Sequence, residues 1–272
     1  MQRGEYGRPA AIVIGAGEVG SAIAVALHRA GCGVVLTDEV DPAWPRRGMA
    51  FTNAWYIGNA ELDGEAAVFC ASLKSIPSVL DHHRAVAATS WSWAGIAKSF
   101  EPAVIVDASL RPPGSGALAG ARDPGAVLTI GLQTTRSAEM GVDVVVECPP
   151  DEHATETRHV VVALRNGRFA TSRRIGDRVA AGEIVGAVGL VPVVAPCDGA
   201  LRGLSARGAR VQGGAPIVEV DPRGDPVLCF GLDERAAAVA REVLRAATQR
   251  GALPPDSAAV RSGDSSAAAV GA

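Results

Sequence analysis

The chain has 272 residues, 48% of them hydrophobic, which is enough for one large domain or two modest ones. Its net charge of −3 and its pI of about 6.0 provide no basic surface of the kind that binds nucleic acid. No apolar run reaches the roughly 18 residues of a membrane span. The N-terminus has no apolar signal region, and we therefore expect a cytoplasmic protein without membrane contact.

Five cysteines are scattered along the chain, and no two of them have the CxxC spacing of a metal or redox site. We interpret them as buried thiols in a reducing compartment, and no metal site is expected. They are Cys32, Cys70, Cys148, Cys197 and Cys229.

The first predicted elements lie in the stretch AIVIGAGEVGSAIAVALHRAGCGVVLTDEV. An apolar β-branched run at 11–14 predicts a strand, and residues 15–20 match the pattern G-x-G-x-x-G directly after it. Residues 21–30 have helical apolar spacing, and 34–36 form a second predicted strand. Asp38 closes this strand, 23 residues after the first glycine. Strand, glycine turn, helix and acid together predict a Rossmann-type unit.

The glycine turn is expected to hold the phosphates of NAD or of another nucleotide-bearing cofactor. Gly15 would permit the tight turn, Gly17 the approach of a pyrophosphate, and Gly20 the close packing of helix on strand. The amides at the start of the helix would face the anion. The predicted cofactor-binding turn consists of Gly15, Ala16, Gly17, Glu18, Val19 and Gly20.

Four charged residues extend this predicted site. Asp38 suits a ribose diol and favours NAD over NADP, because it would repel a 2′-phosphate. Arg46 and Arg47 could reach such a phosphate or another anion, or could lie in a solvated loop. Asp107 ends a predicted buried strand, where ligands of parallel sheets bind, and capping or turn formation is an equally open role for it.

Strands alternate with helical or irregular stretches through the first half of the chain, which predicts a parallel α/β sheet. We assign residues 9–155 to a Rossmann-like nucleotide-binding domain. Its further strands are predicted at 66–73, 102–110, 126–132 and 142–148, and a helix at 78–98.

The second half contains an internal repeat, because residues 163–188 align with 195–220 without a gap, at an offset of 32. Each copy has a tight-turn signal, Asn166-Gly167 or Asp198-Gly199, and reads as a small β unit. Residues 160–228 resemble the biotinyl/lipoyl hammerhead, a flattened barrel of two similar halves. The repeat has no lysine, so covalent biotin or lipoate is excluded.

After the repeat, the sequence predicts a C-terminal helix over 232–250, which carries acids in its first turn and arginines in its last. The tail at 251–272 is rich in small and polar residues and is expected to be disordered.

Several segments in this order resemble the accessory proteins of the selenium-dependent molybdenum hydroxylase system, which are grouped with xanthine dehydrogenase maturation factors. The motifs are RRGMAFTNAWYIGNAELDGE, VIVDASL, IGL, GVDVVVE, IGDRVAAGE, VVAPCDGALRGL and VEVDPRGDP. The resemblance implies a Rossmann domain followed by a hammerhead domain. It also implies a molybdenum hydroxylase as partner and a molybdopterin dinucleotide as a candidate ligand. The chain departs from the family pattern at 133–140 and 148–154.

Three functions remain open on the sequence. The first is an accessory or maturation protein of a molybdenum hydroxylase that binds a nucleotide or dinucleotide. The second is an NAD(P)-dependent oxidoreductase, although no Tyr-x-x-x-Lys is present and no catalytic residue can be named. The third is a non-catalytic NAD-binding scaffold. A homodimer also remains open.

Overall fold

The computed structural model of the chain describes residues 8–81, 84–110, 118, 127–133, 141–150 and 159–255. The predicted tail from residue 256 onward lies outside this part of the chain, as do most of the divergent segments 133–140 and 148–154. Within the described residues, no helix combines the length and the apolar character needed to cross a membrane.

An eight-stranded sheet dominates the first half of the chain. Its strands are β1 (Ala10–Ile14), β2 (Gly33–Thr37), β3 (Asn59–Leu62), β4 (Glu65–Phe69), β5 (Val86–Thr89), β6 (Val104–Asp107), β7 (Leu128–Gln133) and β8 (Val144–Glu147). They are arranged in the order β3-β4-β5-β2-β1-β6-β7-β8. Strands β2 to β5 lie on one side of β1, with β3 at the edge and β5 next to β2, and the chain then crosses to β6 on the other side of β1. The order therefore reverses between β1 and β6, and in open α/β sheets ligands bind beyond the strand ends at such a point.

Helices cover both faces of this sheet. They are α1 (Glu18–Arg29), α2 (Ala54–Ile57), α3 (Ile76–Leu80), α4 (Trp93–Phe100) and α5 (Glu234–Gln249). Helices α1 and α5 share one core with the sheet, and α3 and α4 share another on the opposite face. The C-terminal helix α5 thus returns to the first half of the chain and packs on α1.

The expected all-parallel Rossmann-like sheet is wrong, because the sheet is mixed. Strand β3 pairs antiparallel with β4, whereas the other neighbouring pairs are parallel. The cause is a two-residue turn at Asp63 and Gly64, whose φ angles are 53° and 79°. Asp-Gly with two positive φ angles is a strong signal for a tight hairpin, and it turns the chain back at the sheet edge.

The predicted helix over 78–98 is also wrong. The structure places α3, the strand β5 and α4 across this range. All four residues of β5 are buried, and a short buried strand cannot be distinguished from a helix by periodicity.

The second half forms two four-stranded antiparallel sheets, which we call the β module. Its strands are β9 (Val160–Val162), β10 (Gly167–Ala170), β11 (Arg178–Val179), β12 (Ile184–Val188), β13 (Val191–Val194), β14 (Gly199–Leu204), β15 (Arg210–Val211) and β16 (Pro216–Asp221). The sheet orders are β13-β12-β10-β15 and β11-β14-β16-β9. Both sheets contribute to one core that includes Phe169, Leu201 and Ile217.

The expected closed hammerhead barrel is wrong: the strands described form two separate sheets around a shared core. Strands β10, β11 and β12 of the first sequence copy begin 32 residues before β14, β15 and β16. However, β15 pairs with β10, and β11 pairs with β14. Each sheet therefore takes one short strand from the other copy.

We predict that Asp233 is the main stabilising residue at the start of α5. Its side chain accepts hydrogen bonds from the amides of Arg235, at 3.0 Å, and Ala236, at 3.3 Å. It also lies 3.2 Å from the Arg202 guanidinium. We expect Asp233→Ala to lower the free energy of unfolding by about 1–2 kcal/mol in urea titrations, because the cap is lost. Asp233→Asn keeps an accepting oxygen and should lose clearly less. If both variants lost the same stability, the charge of Asp233 would contribute more than its hydrogen bonds to the helix amides.

Candidate functional site

A cavity of about 460 Å³ lies at the carboxyl edge of the sheet, where the strand order reverses. The loops after β1 and β6 contribute Gly17, Ala108 and Leu110 to its wall. The β module contributes strands β9 and β16, and α5 contributes Arg235. Both halves of the chain therefore build this cavity, and its volume is in the range of small-molecule sites.

The glycine turn is shaped by close packing of the backbone. Gly15 has a φ of +102°, and a Cβ atom there would lie 2.8 Å from the carbonyl oxygen of Ala108. A Cβ at Gly20 would lie 1.8 Å from the carbonyl oxygen of Gly15. The absence of side chains at these positions lets α1 and the β6 loop approach the turn.

An indole ring lies over Gly17, the second glycine of the pattern. A Cβ at Gly17 would be 3.0 Å from ring carbons of Trp44. Asp38 fixes this arrangement, because its Oδ2 accepts hydrogen bonds from the Ala16 amide at 2.6 Å and from Trp44 Nε1 at 2.7 Å. The Trp44 side chain thus fills the space expected for a pyrophosphate. The Asp38 carboxylate, which was expected to bind a ribose, instead holds the glycine turn.

The cofactor-binding role of the glycine turn, with Ala16, Glu18 and Val19, stays a prediction. The structure brings Gly17, Glu18, Val19 and Gly20 to the cavity wall. Access of a phosphate to Gly17 along the expected path would require Trp44 to move away from it.

Two arginines and two glutamates form a buried network at the cavity, which we call the Arg46 network. Arg46 binds Glu219 with two hydrogen bonds, of 2.6 and 2.7 Å, and donates to Glu18 at 2.9 Å. Glu18 also pairs with Arg235. Because Glu18 starts α1 and Glu219 belongs to β16, Arg46 joins the first sheet to the β module.

Arg235 extends this network to the end of β8. It donates to the carbonyl oxygen of Pro149 at 3.1 Å and lies 3.6 Å from the sulfur of Cys148. Burial raises the pKa of the Cys148 thiol, although the Arg235 charge acts in the opposite direction. The thiol therefore stays protonated at neutral pH and is a poor nucleophile.

Arg47 and Asp107 form hydrogen bonds to other residues of the chain. Arg47 donates to the carbonyl oxygen of Leu204 at 2.7 Å and to Asn53, and burial lowers its pKa. Asp107 accepts hydrogen bonds from the amide of Ser109, at 3.1 Å, and from its hydroxyl, at 2.6 Å. Of the two roles open for Asp107, the structure thus shows turn formation. The sequence left open that Arg46 and Arg47 lie in a solvated loop, whereas the structure buries Arg46.

The remaining wall of the cavity is apolar and rigid. It includes valines of β9 and four prolines, Pro45, Pro149, Pro150 and Pro216. Leu110, which also lines it, has a φ of +51°, a conformation that non-glycine residues rarely adopt. Such strain is found most often at functional sites. Among the described lining residues, every charged group has a partner of opposite charge.

Sequence reasoning missed Trp44, Glu219, Arg235 and Leu110. Arg46 and Glu219 are 173 positions apart, and no local pattern links them. The tryptophan in the segment after β2 was the one available signal, because a large aromatic side chain in a loop beside the glycine turn needs a place to pack.

In the part of the chain that the structure describes, no group of three or more histidine, cysteine, aspartate or glutamate side chains could hold a metal ion. No family model matches the chain. A curated relative, "Uncharacterized protein YqeB" of Escherichia coli strain K12, is 26% identical over 259 residues. This match covers 88% of the chain and 47% of the relative, so the chain spans about half the length of the protein it matches.

The solved structures that are similar to the chain include three of low sequence identity. A succinylglutamate desuccinylase/aspartoacylase from Rhodobacter sphaeroides is 14% identical, with a TM-score of 0.24 over 69% of this chain and 57% of that one. The ectoine utilization protein EutE (DoeB) from Ruegeria pomeroyi is 15% identical, with a TM-score of 0.22 over 78% and 52%. An aspartoacylase family protein from Mesorhizobium loti is 10% identical, with a TM-score of 0.27 over 78% and 85%. Scores this low transfer neither a fold nor an activity to this chain.

These findings correct the family identification made from the sequence. No family model matches the chain, and the curated relative is described only as an uncharacterized protein. The comparisons therefore support neither a maturation factor, nor an NAD(P)-dependent oxidoreductase, nor an NAD-binding scaffold. The motifs behind the resemblance are short turn and strand patterns, which local backbone geometry explains without a shared function.

Proposed function

We propose that the protein binds a small, largely apolar molecule in the cavity between the eight-stranded sheet and the β module. The observation that carries this proposal is the position of the cavity. It opens where the strand order reverses between β1 and β6, and both flanking loops line it. Ligands of open α/β sheets bind at this position for topological reasons.

Two further observations support binding. The first is the strained backbone of Leu110 at the cavity wall. The second is that the two halves of the chain meet around the cavity through the Arg46 network, which fixes their relative position. Ligand sites are common at such junctions, because two surfaces can enclose a molecule that neither could enclose alone.

The test uses N-phenyl-1-naphthylamine, an uncharged dye whose emission rises in apolar surroundings. We expect saturable binding with one site per chain. Val162→Trp places a larger side chain on the cavity wall and should weaken binding at least tenfold, because it takes up cavity volume.

The matched control is Val145→Trp. Val162 is 44% exposed and Val145 is 46% exposed, and both lie in strands, but Val145 lies in β8 outside this cavity. We expect this variant to bind the dye like the wild-type chain. Equal binding by both variants, at unchanged melting temperatures, would contradict a site in this cavity.

Two expectations from the sequence belong to this proposal. The nucleotide-bearing cofactor remains a prediction, and NAD⁺, NADP⁺ and ATP are competitors in the same assay. A cytoplasmic location is also proposed, and it is supported by five cysteines that form no disulfide with one another.

A further inference from the structure

We infer that the ligand of this cavity is an uncharged aromatic molecule, an inference that rests on the proposed function. Two features of the cavity wall lead to it: the charge balance of the Arg46 network and the flat face of Trp44.

The charge balance disfavours ionised ligands. The network holds two guanidinium groups and two carboxylates, and its formal charge is zero. Arg46 is bound to both Glu18 and Glu219, and Glu18 is also bound to Arg235. A charged ligand would have to break one of these pairs or be buried without a partner, and both are costly.

The start of α1 does not alter this balance. A helix N-terminus attracts anions, and Glu18 in the first turn already places a carboxylate there. The negative charge that this end of the helix favours therefore belongs to the protein itself. A second anion at the same place would be repelled by it.

The wall favours a flat ring. The Trp44 indole is held by its hydrogen bond to Asp38 and by its packing on Gly17, so it is a fixed surface. Proline rings add further rigid apolar area. Aromatic molecules stack on such surfaces and lose little conformational entropy when they bind.

The experiment compares three competitors with one ring system in displacement of N-phenyl-1-naphthylamine from the wild-type chain. They are indole-3-acetamide, which is uncharged, indole-3-acetate, which is an anion, and tryptamine, which is a cation. We expect the amide to displace the dye at a concentration at least tenfold lower than either charged compound. A Glu18→Gln variant removes one carboxylate, and in it we expect indole-3-acetate to gain at least tenfold relative to the amide.

The outcomes separate the two proposals. If the dye binds and Val162→Trp blocks it, but the anion or the cation competes best in the wild-type chain, the uncharged ligand class is refuted and the cavity stands. If the three compounds compete equally, the preference for an uncharged ligand is refuted, and the cavity again stands. If the dye does not bind, or if Val162→Trp leaves its binding unchanged, the cavity site fails and the ligand class fails with it.

Discussion

Replacing Arg46 by methionine should lower the free energy of unfolding by about 3–5 kcal/mol, the range observed when one partner of a buried ion pair is removed. The side chains of Arg46 and Glu219 are each 9% exposed, so water cannot replace the lost guanidinium. Glu219 would be left buried without its two hydrogen bonds, and Glu18 would lose one of its two arginines. Urea unfolding followed by circular dichroism measures the change.

The matched control is Arg245→Met. Arg245 also pairs with a glutamate, Glu242, but these side chains are 59% and 51% exposed. We expect no measurable loss of stability, because exposed ion pairs contribute little. The double variant Arg46→Met with Glu219→Met should recover most of the stability, since no buried charge then remains unpaired on β16. A double variant as unstable as Arg46→Met alone would contradict this explanation.

Replacing Gly20 by alanine should destabilise the protein by at least about 3 kcal/mol, at or above the upper end of overpacking costs. The new Cβ would lie 1.8 Å from the carbonyl oxygen of Gly15, a backbone atom that cannot turn aside. Helix α1 would have to move away from β1, and Gly15 is itself packed on Ala108. Alanine has the better helix propensity by about 1 kcal/mol, so a loss of stability can be attributed to packing.

Gly213→Ala is the control for this substitution. A Cβ there would meet its nearest neighbour at 3.6 Å, which is ordinary van der Waals contact, and its φ is not in the left-handed region. We expect a change below about 0.5 kcal/mol, as for most surface substitutions. Thermal and urea unfolding of both variants provide the comparison. If Gly20→Ala were as stable as Gly213→Ala, the close contact at the glycine turn would be wrong.

The local elements near the start of the chain could be predicted because their signals lie within a few residues of each other. The apolar run at 11–14, the glycines at 15–20 and the helical spacing after them correspond to β1, the turn and α1. Gly15 and Gly20 also serve the packing roles that their spacing indicates. The Asp63-Gly64 turn was an equally local signal, and overlooking it led to the wrong parallel sheet.

The site could not be predicted in the same way, because contacts between distant segments build it. Asp38 occurs at the spacing expected for a ribose contact, but the spacing cannot show that Trp44 takes one lone pair of its carboxylate. Arg46 was correctly singled out, yet its partner Glu219 lies in the other half of the chain. The sequence pattern thus identified the glycine turn and the charged residues near it. Contacts between distant segments decide which of these groups remain available to a ligand.

The exchange of short strands between the two sheets of the β module makes the two copies depend on each other. Since β11 completes the sheet of the later copy and β15 that of the earlier one, either copy by itself would present an unpaired strand edge. Such edges are templates for pairing with other chains. We therefore expect a fragment that holds one copy alone to associate with further fragments and not to stay monomeric.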